Sequence, residues 1–368
     1  MKVNFNRAAF AEALGLLASV VPARTPKPIL RCVRLTAGEK EITIRATDLE
    51  VGVNYRAYEV QVEKSGDVVV PADKLTAVVR ESTDDVLALE VKDGICKITG
   101  SDSHFTIYGQ DAAAFPEVPG FDGQPDLEVG LQNLQSAVRQ TLFATAREST
   151  RYALNGILWE IKGKKLALIA TDGRRLARSR INLAAAPAKN LEASKIIVPA
   201  KTLSLLEKLP AGEKDTASIK FVDNQILLAA GNVVISSNLI EGTFPKYEDI
   251  IPSDYDKKIT LPTEAALSAV RRSALLTSEE SRGIHLAISK DKLVFACRAP
   301  ETGDATVDMH IDYSGAPIEI GFNPQYIMDC LRILPEQQFT LELGQPDRPG
   351  LIKCGKDFLY VLMPINLS

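Results

Sequence analysis

Val70-Pro71-Ala72-Asp73-Lys74-Leu75 recurs 128 residues later as Val198-Pro199-Ala200-Lys201-Thr202-Leu203. Two further echoes surround this pair in the same order. Ala46-Thr47-Asp48 returns as Ala170-Thr171-Asp172 after 124 residues, and Phe115-Pro116 as Phe244-Pro245 after 129. Each match is short, but three at nearly one offset describe a duplicated unit. The last third carries a fainter copy: Pro262-Thr263-Glu264-Ala265-Ala266-Leu267 opens one helix and Asn323-Pro324-Gln325-Tyr326-Ile327 another. Polar, Pro/Gly-rich segments at 116–126 and 245–258 separate the copies. The sequence therefore predicts three domains, at 1–122, 127–248 and 252–368.

Within each copy the same grammar repeats. Phe10, Leu14, Leu17 and Val21 follow helical spacing with Asn6 as N-cap; Leu131, Leu134, Val138 and Leu142 do so in the second copy, and Leu267, Val270 and Ala274 in the third. A second helix is expected after Pro71, Pro199 or Pro324, with proline in the first helical position, where it forfeits no hydrogen bond. Alternating runs such as Ile42/Ile44/Ala46, Leu87/Leu89/Val91, Leu166/Leu168/Ala170 and Phe339/Leu341/Leu343 read as antiparallel strands. The expected fold class is α+β: three similar domains, each with two helices packed on antiparallel sheets.

The 368 residues include 43 Lys+Arg against 47 Asp+Glu, with 45% hydrophobic residues and a formal charge of −4. This composition excludes disorder, collagen and a disulfide scaffold. The five cysteines (Cys32, Cys96, Cys297, Cys330, Cys354) are scattered and unpaired in spacing, as buried thiols in a reducing cytoplasm would be. No targeting segment or long apolar run is read, so no membrane partner is expected. The charge is unevenly spread. Residues 1–125 hold 14 basic and 18 acidic residues, 126–250 hold 17 and 13, and 251–368 hold 12 and 16. The middle third is basic inside an acidic protein. Basic residues also recur on equivalent helices: Arg7, Arg139, Arg147, Arg271 and Arg272 on the early ones, and Lys74, Arg80, Lys201, Lys208 and Arg332 on the later ones. A solvated face accounts for any one helix, whereas three equivalent helices turned to one axis would line a positive surface.

Catalytic signatures are absent. There is no dinucleotide or triphosphate glycine loop, no H-E-x-x-H and no nucleophile elbow. His285 falls within an apolar alternation, as a structural strand residue would. Asp84-Asp85 and Glu279-Glu280 lie in loop-like stretches and form no metal-holding cluster. No cofactor or metal is expected. Thr171-Asp172-Gly173-Arg174-Arg175-Leu176 reads either as an Asp-capped turn or as a functional motif, with Asp172 a metal ligand if the chain were itself a nucleotide-transferring enzyme. The end of the chain, Tyr360 to Ser368, is apolar: either tucked into a core or walling a partner groove.

In order, VPADKL, FPEVP, Arg151-Tyr152-Ala153-Leu154-Asn155-Gly156, ATDGRRLA, IVPAKTL, EGTFPKYEDIIP, Ser281-Arg282-Gly283, Ile320-Gly321-Phe322-Asn323 and VLMPINL resemble the beta subunit family of bacterial DNA polymerase III, the sliding clamps. The resemblance runs the whole chain. It implies three domains per chain, and a homodimer closed head to tail as a ring around double-stranded DNA, with helices lining the hole. It implies a non-catalytic processivity factor of DNA replication that tethers the replicative polymerase subunit, the clamp loader and other clamp-binding-motif proteins. Residues matching the family's DNA contacts are Arg24, Arg80, Arg147, Tyr152 and Lys201. Those matching its partner-peptide pocket, between the second and third domains, are Leu154, Thr171, Gly173, Arg174, Leu176, Pro245, Ile250, Asn323, Tyr326, Val361, Leu362, Met363 and Pro364. At the dimer seam the resemblance places Lys74, Phe105, Ile107, Leu275, Leu276 and Glu301; the four apolar residues among them could equally be intradomain core. Ala153, Asp249, Ser281 and Ser368 depart from the family pattern, which bears on DNA contact and peptide preference.

Overall fold

The Asn6 side chain accepts a hydrogen bond from the Ala9 amide at 3.0 Å and starts the first helix where the sequence places it. The computed structural model describes residues 1–146, 152–191, 194–251, 255–277, 283–300 and 303–365. The first third runs β1 (Lys2–Asn6), α1 (Arg7–Ala18), β2 (Cys32–Ala37), β3 (Ile42–Thr47), β4 (Val51–Ala57), β5 (Val60–Lys64), β6 (Gly66–Pro71), α2 (Ala72–Glu81), β7 (Val86–Lys92), β8 (Ile95–Thr99) and β9 (His104–Tyr108). The middle third runs β10 (Leu127–Gly130), α3 (Leu131–Leu142), β11 (Gly156–Lys162), β12 (Lys165–Thr171), β13 (Arg175–Asn182), β14 (Lys195–Pro199), α4 (Ala200–Glu207), β15 (Thr216–Val222), β16 (Gln225–Ala230) and β17 (Val233–Asn238). The last runs β18 (Lys257–Pro262), α5 (Thr263–Ser273), β19 (Ile284–Ser289), β20 (Lys292–Ala299), β21 (Gly303–His310), β22 (Ile318–Phe322), α6 (Pro324–Leu331), β23 (Gln338–Leu343), β24 (Gly350–Cys354) and β25 (Phe358–Leu362). The order is the same three times, with β5 the single addition.

Pro324 occupies the first turn of α6, as expected. Pro71 does not do so in α2: it is the N-cap, still paired with Cys32 in the sheet, and Pro199 likewise ends β14 opposite Gly156. A fixed φ suits both the end of a strand and the start of a helix, so the same residue serves as the hinge between them.

The chain forms two compact units: Met1–Gln132 with Leu183–Ala188 and Lys201–Leu239, and Asn133–Asn182 with Lys189–Ala200 and Ile240–Ser368. Each contains one eight-stranded antiparallel sheet. In the first unit the order is β10-β15-β16-β17-β4-β3-β2-β6, and in the second β14-β11-β12-β13-β25-β24-β23-β18. The middle repeat thus gives four strands to each sheet. The joins are β17 to β4, with Ile235 opposite Val53, and β13 to β25, with Tyr360 opposite Ala177. Smaller sheets complete the units, β5-β1-β7-β8-β9 in the first and β21-β20-β19-β22 in the second.

Apolar alternation decides which face meets the helices. Ile42, Ile44 and Ala46 are fully buried beneath α1, whose Phe10, Leu14 and Leu17 join them. In the second unit Val270, Leu286, Phe295, Phe322 and Leu331 form the corresponding core. Each such side chain contributes roughly 1.5–3 kcal/mol on leaving water. The repeat extends to atomic detail at one turn. Thr47 Oγ1 accepts from Leu49 N and donates to Val51 O, while Asp48 Oδ1 accepts from Glu50 N and Val51 N. Thr171 and Asp172 make the same four bonds 124 residues later. The position between takes φ +80° at Leu49 and +89° at Gly173, a conformation that favours glycine.

Candidate functional site

The turn at Thr171–Arg175 leads into β13, and the chain's apolar end runs back beside it, with Met363 N donating to Arg174 O at 3.0 Å. Behind the turn, Leu158, Ile169, Leu176, Ile197, Tyr247, Leu359 and Val361 form one buried apolar cluster. Ala153, Ile240, Phe244 and Ile251 pack against it, half exposed. The result is an aliphatic floor with a mixed rim. Gly173 and Arg174 are exposed, Met363 is 41% exposed and Ile250 38%. Pro245 and Pro364 are half-buried. A rim of backbone and adaptable methionine over a dry floor fits a short apolar peptide anchor.

The remaining residues expected here have structural duties. Leu154 and Thr171 are buried, the latter as the turn's hydroxyl. Asn323 caps α6 through its Oδ1, which accepts from Gln325 N at 2.9 Å. Tyr326 takes the Tyr360 hydroxyl on its backbone carbonyl. Leu362 does not face this floor. Strand alternation turns it to the opposite side of β25 from Val361, into the core beside Phe322 and Leu331.

Arg175 is the residue that sequence reasoning missed. Its side chain is only 10% exposed, with Nε on Asp172 at 3.0 Å, Nη1 on Asp329 at 2.8 Å and Nη2 donating to Phe143 O at 2.7 Å. The guanidinium also lies 4.4 Å from the centre of the Tyr326 ring. Burial opposes its charge, but Asp329 and Asp172 outweigh that and hold the cation firmly. The available signal was period two: Leu176 facing the floor puts Arg175 on the helix side. Both Asp172 oxygens are engaged, Oδ1 by backbone amides and Oδ2 by Arg175, so Asp172 is the cap of a turn and not a metal ligand. Among the described residues no group of three His, Cys, Asp or Glu is placed to hold a metal. All five thiols are buried, and burial pushes Cys96 up to about 12.

A second lock holds Tyr247 against this apolar cluster. Glu160, in the apolar strand β11, is buried, accepts the Tyr247 hydroxyl at 2.5 Å and pairs with Lys195 at 2.7 Å. Burial pushes its carboxyl up, but the bonds from Lys195 and Tyr247 bring it below its ordinary value.

The residues expected to meet DNA are spread over both units. In the first, Arg24 and Arg80 are exposed, Arg80 in the last turn of α2. Lys201, near the start of α4, is ion-paired with Asp48. In the second, Tyr152 is 73% exposed in the turn Tyr152–Asn155. Arg147 lies outside the described residues, as do Ser281, Glu301 and Ser368. Of the seam residues, Phe105 is half-buried and Ile107 buried on β9. Leu275 is 75% exposed in the turn after α5, Leu276 is half-buried beside it, and Lys74 is exposed beside Asp73.

Family models of the DNA polymerase III beta subunit match in chain order: the N-terminal domain at 1–119, the central domain at 128–246 and the C-terminal domain at 248–366. The chain is 30% identical over 370 residues to the beta sliding clamp of Pseudomonas putida and 31% over 376 to that of Caulobacter vibrioides, with both chains covered completely in each case. Among solved structures it is similar to a sliding clamp of Pseudomonas aeruginosa bound to griselimycin, with a TM-score of 0.93, 29% identity and complete coverage of both chains. The clamp of Bartonella birtlesii, also bound to griselimycin, gives 0.91 and 31% over 100% of this chain and 99% of that one. With the repeated architecture, these similarities place the chain in the DNA polymerase III beta subunit family, the non-catalytic sliding clamps of bacteria.

Proposed function

We propose that two copies of this chain close head to tail around duplex DNA and carry the replicative polymerase along it. The observation supporting this reading is which strand edges stay unpaired. Aligning the repeats makes β9, β17 and β25 equivalent, and β4, β13 and β21 equivalent. Within the chain every join unites one edge of each kind, β17 with β4 and β25 with β13. One edge of each kind is left over, β9 and β21. An open edge is a row of unmet N–H and C=O groups, and its natural complement here is the other type on a second copy. Such heterologous contacts generate a ring when the rotation closes. Phe105 and Ile107 on β9 would then meet the start of β21, with Leu275, Leu276 and Glu301 nearby and Lys74 as the opposing cation.

Arg24, Arg80, Arg147, Tyr152 and Lys201 would touch the duplex loosely. Contacts to phosphate carry no sequence information, so a ring held by topology can slide. Lys201 would exchange Asp48 for phosphate. The pocket floored by Leu176 and Val361 would take the apolar anchors of the polymerase, the clamp loader and other partners in turn, and salt would weaken the DNA contacts but not the link. The test is retention on DNA. Loaded protein should stay on a nicked circular plasmid through gel filtration and leave once the circle is cut; persistence on linear DNA with free ends would overturn the reading.

A further inference from the structure

The first unit carries, on the face of its eight-stranded sheet turned away from the helices, a cleft of about 550 Å³. The repeat makes the comparison direct. At the β12–β13 junction the equivalent face carries Leu158, Ile169 and Leu359 beside Arg178, and the chain's own segment covers it through Ile251 and Tyr255. In the first unit Arg34 stands in place of Leu158 and Arg45 in place of Ile169, while Asn54 and Arg56 on the next strand match Arg178 and Arg180. The corresponding linker packs Phe115 and Val118 onto this face and runs along the cleft through Gly120 and Phe121, leaving Arg45 half-buried and Arg56 exposed.

Their charges are unequally met. Arg34 is paired with Asp67 through a two-pronged contact, at 2.6 Å for the closest pair. Arg45 is half-buried and donates to Thr36 Oγ1 at 3.0 Å, which fixes its direction without neutralising it. Among the described residues no carboxylate is ion-paired with Arg45 or Arg56, although Glu41 and Glu117 also line the cleft. Burial and Arg34 work against the charge on Arg45, Asp67 partly offsets them, and Arg56 adds to the opposition. Asn54, opposite Arg45, also lines the cleft. It is 7% exposed, its Nδ2 donates to Pro119 O at 2.7 Å, and its Oδ1 has no partner.

We propose that this cleft is a second docking site, for an extended acidic peptide of a partner protein. One of its carboxylates would bridge Arg45 and Arg56, with apolar flanking side chains against Val118 and Phe121. Guanidinium forks suit carboxylates, and the apolar side chains beside the arginines suit the flanking residues of a peptide. The occupant would cover this face as the chain's own linker covers the equivalent one. The site is independent of the apolar pocket and of ring closure.

A fluorescein-labelled decapeptide of alternating Asp and Val, titrated into the full-length protein and followed by anisotropy, tests this. Binding should weaken about tenfold or more in Arg45→Gln and in Arg56→Gln, the loss of a charge-assisted pair. It should be unchanged in Arg31→Gln, an exposed arginine off this face, and absent for the Asn/Val peptide. Arg56 is exposed, so its variant keeps the fold and is decisive if Arg45→Gln proves unstable. Equal affinity in parent and Arg56→Gln would overturn the proposal. Displacement by inorganic phosphate as effective as by unlabelled peptide would also overturn it, revealing a plain anion site.

Discussion

Replacing Arg175 with methionine keeps much of its volume and removes its charge. Three bonds disappear, to Asp172, Asp329 and Phe143 O. The two carboxylates left behind are 17% and 22% exposed, too buried for water to restore what is lost. Asp329 retains Gln325 at 2.6 Å and Asp172 retains its backbone amides, which limits the damage. Breaking a buried ion pair from one side costs about 3–5 kcal/mol, and these surviving partners place the loss near the lower end. For a unit of this size that corresponds to about 6–12 °C in Tm. The assay is built into the chain. Trp159 is its one tryptophan and lies fully buried in β11 of the second unit, so intrinsic fluorescence in a urea titration reports that unit. Arg175→Lys, which keeps the charge without the fork, should lose less, and Arg174→Met, exposed next door, about 0.5 kcal/mol or less. Peptide binding should fall with Arg175→Met, since the 171–175 turn and Tyr326 lose their common anchor. A midpoint for Arg175→Met within about 1 kcal/mol of the parent would refute the reasoning.

The alignment that matches the leftover edges also fixes their register, with Ala305 of one copy opposite Phe105 of the other and Asp304 opposite Thr106. Thr106→Cys with Asp304→Cys should therefore give a disulfide-linked dimer on an oxidising gel, and Thr106→Cys with Thr306→Cys far less; the reverse preference would exclude this register. Met363→Ala should weaken a polymerase-derived clamp-binding peptide by roughly 5–30-fold, the loss of an apolar contact of 1–2 kcal/mol, with dimer elution volume unchanged on gel filtration. Tyr247→Phe removes one bond to a buried carboxylate and should cost about 1.5–3 kcal/mol in the Trp159 urea midpoint. Glu160 is held below its ordinary pKa, so its stabilising share is complete above about pH 5 and fades as pH falls through the folded value. Lys195→Met should consequently shift the acid-unfolding midpoint upward, and an unmoved midpoint would show that Glu160 draws nothing from that pair.

How much was legible depended on how local the determinant is. The Asn6 cap, the buried faces of α1 and β3 and the threefold order of elements follow from residues close in sequence, because caps and periodicity act over a single turn or pleat. The Thr-Asp turn was open to two readings until both carboxylate oxygens of Asp172 were seen to be engaged. Leu362 was misjudged because the motif containing it was read as a block, while the pleat assigns its neighbours to opposite faces.

By itself, then, the sequence determined that the chain repeats, which elements recur in each repeat and which side of its alternating strands is buried. Tertiary structure alone decided which strands meet: that β17 joins β4, that β25 joins β13, and that β9 and β21 are left open. It also decided that Arg175 rests between Asp172 and Asp329, 154 residues from the latter. Alternation specifies the face of a strand, whereas backbone edges are chemically alike and choose partners only through packing between distant segments. The same packing leaves Arg45 lining a cleft in the first unit, where its equivalent Ile169 is covered by the chain's own linker.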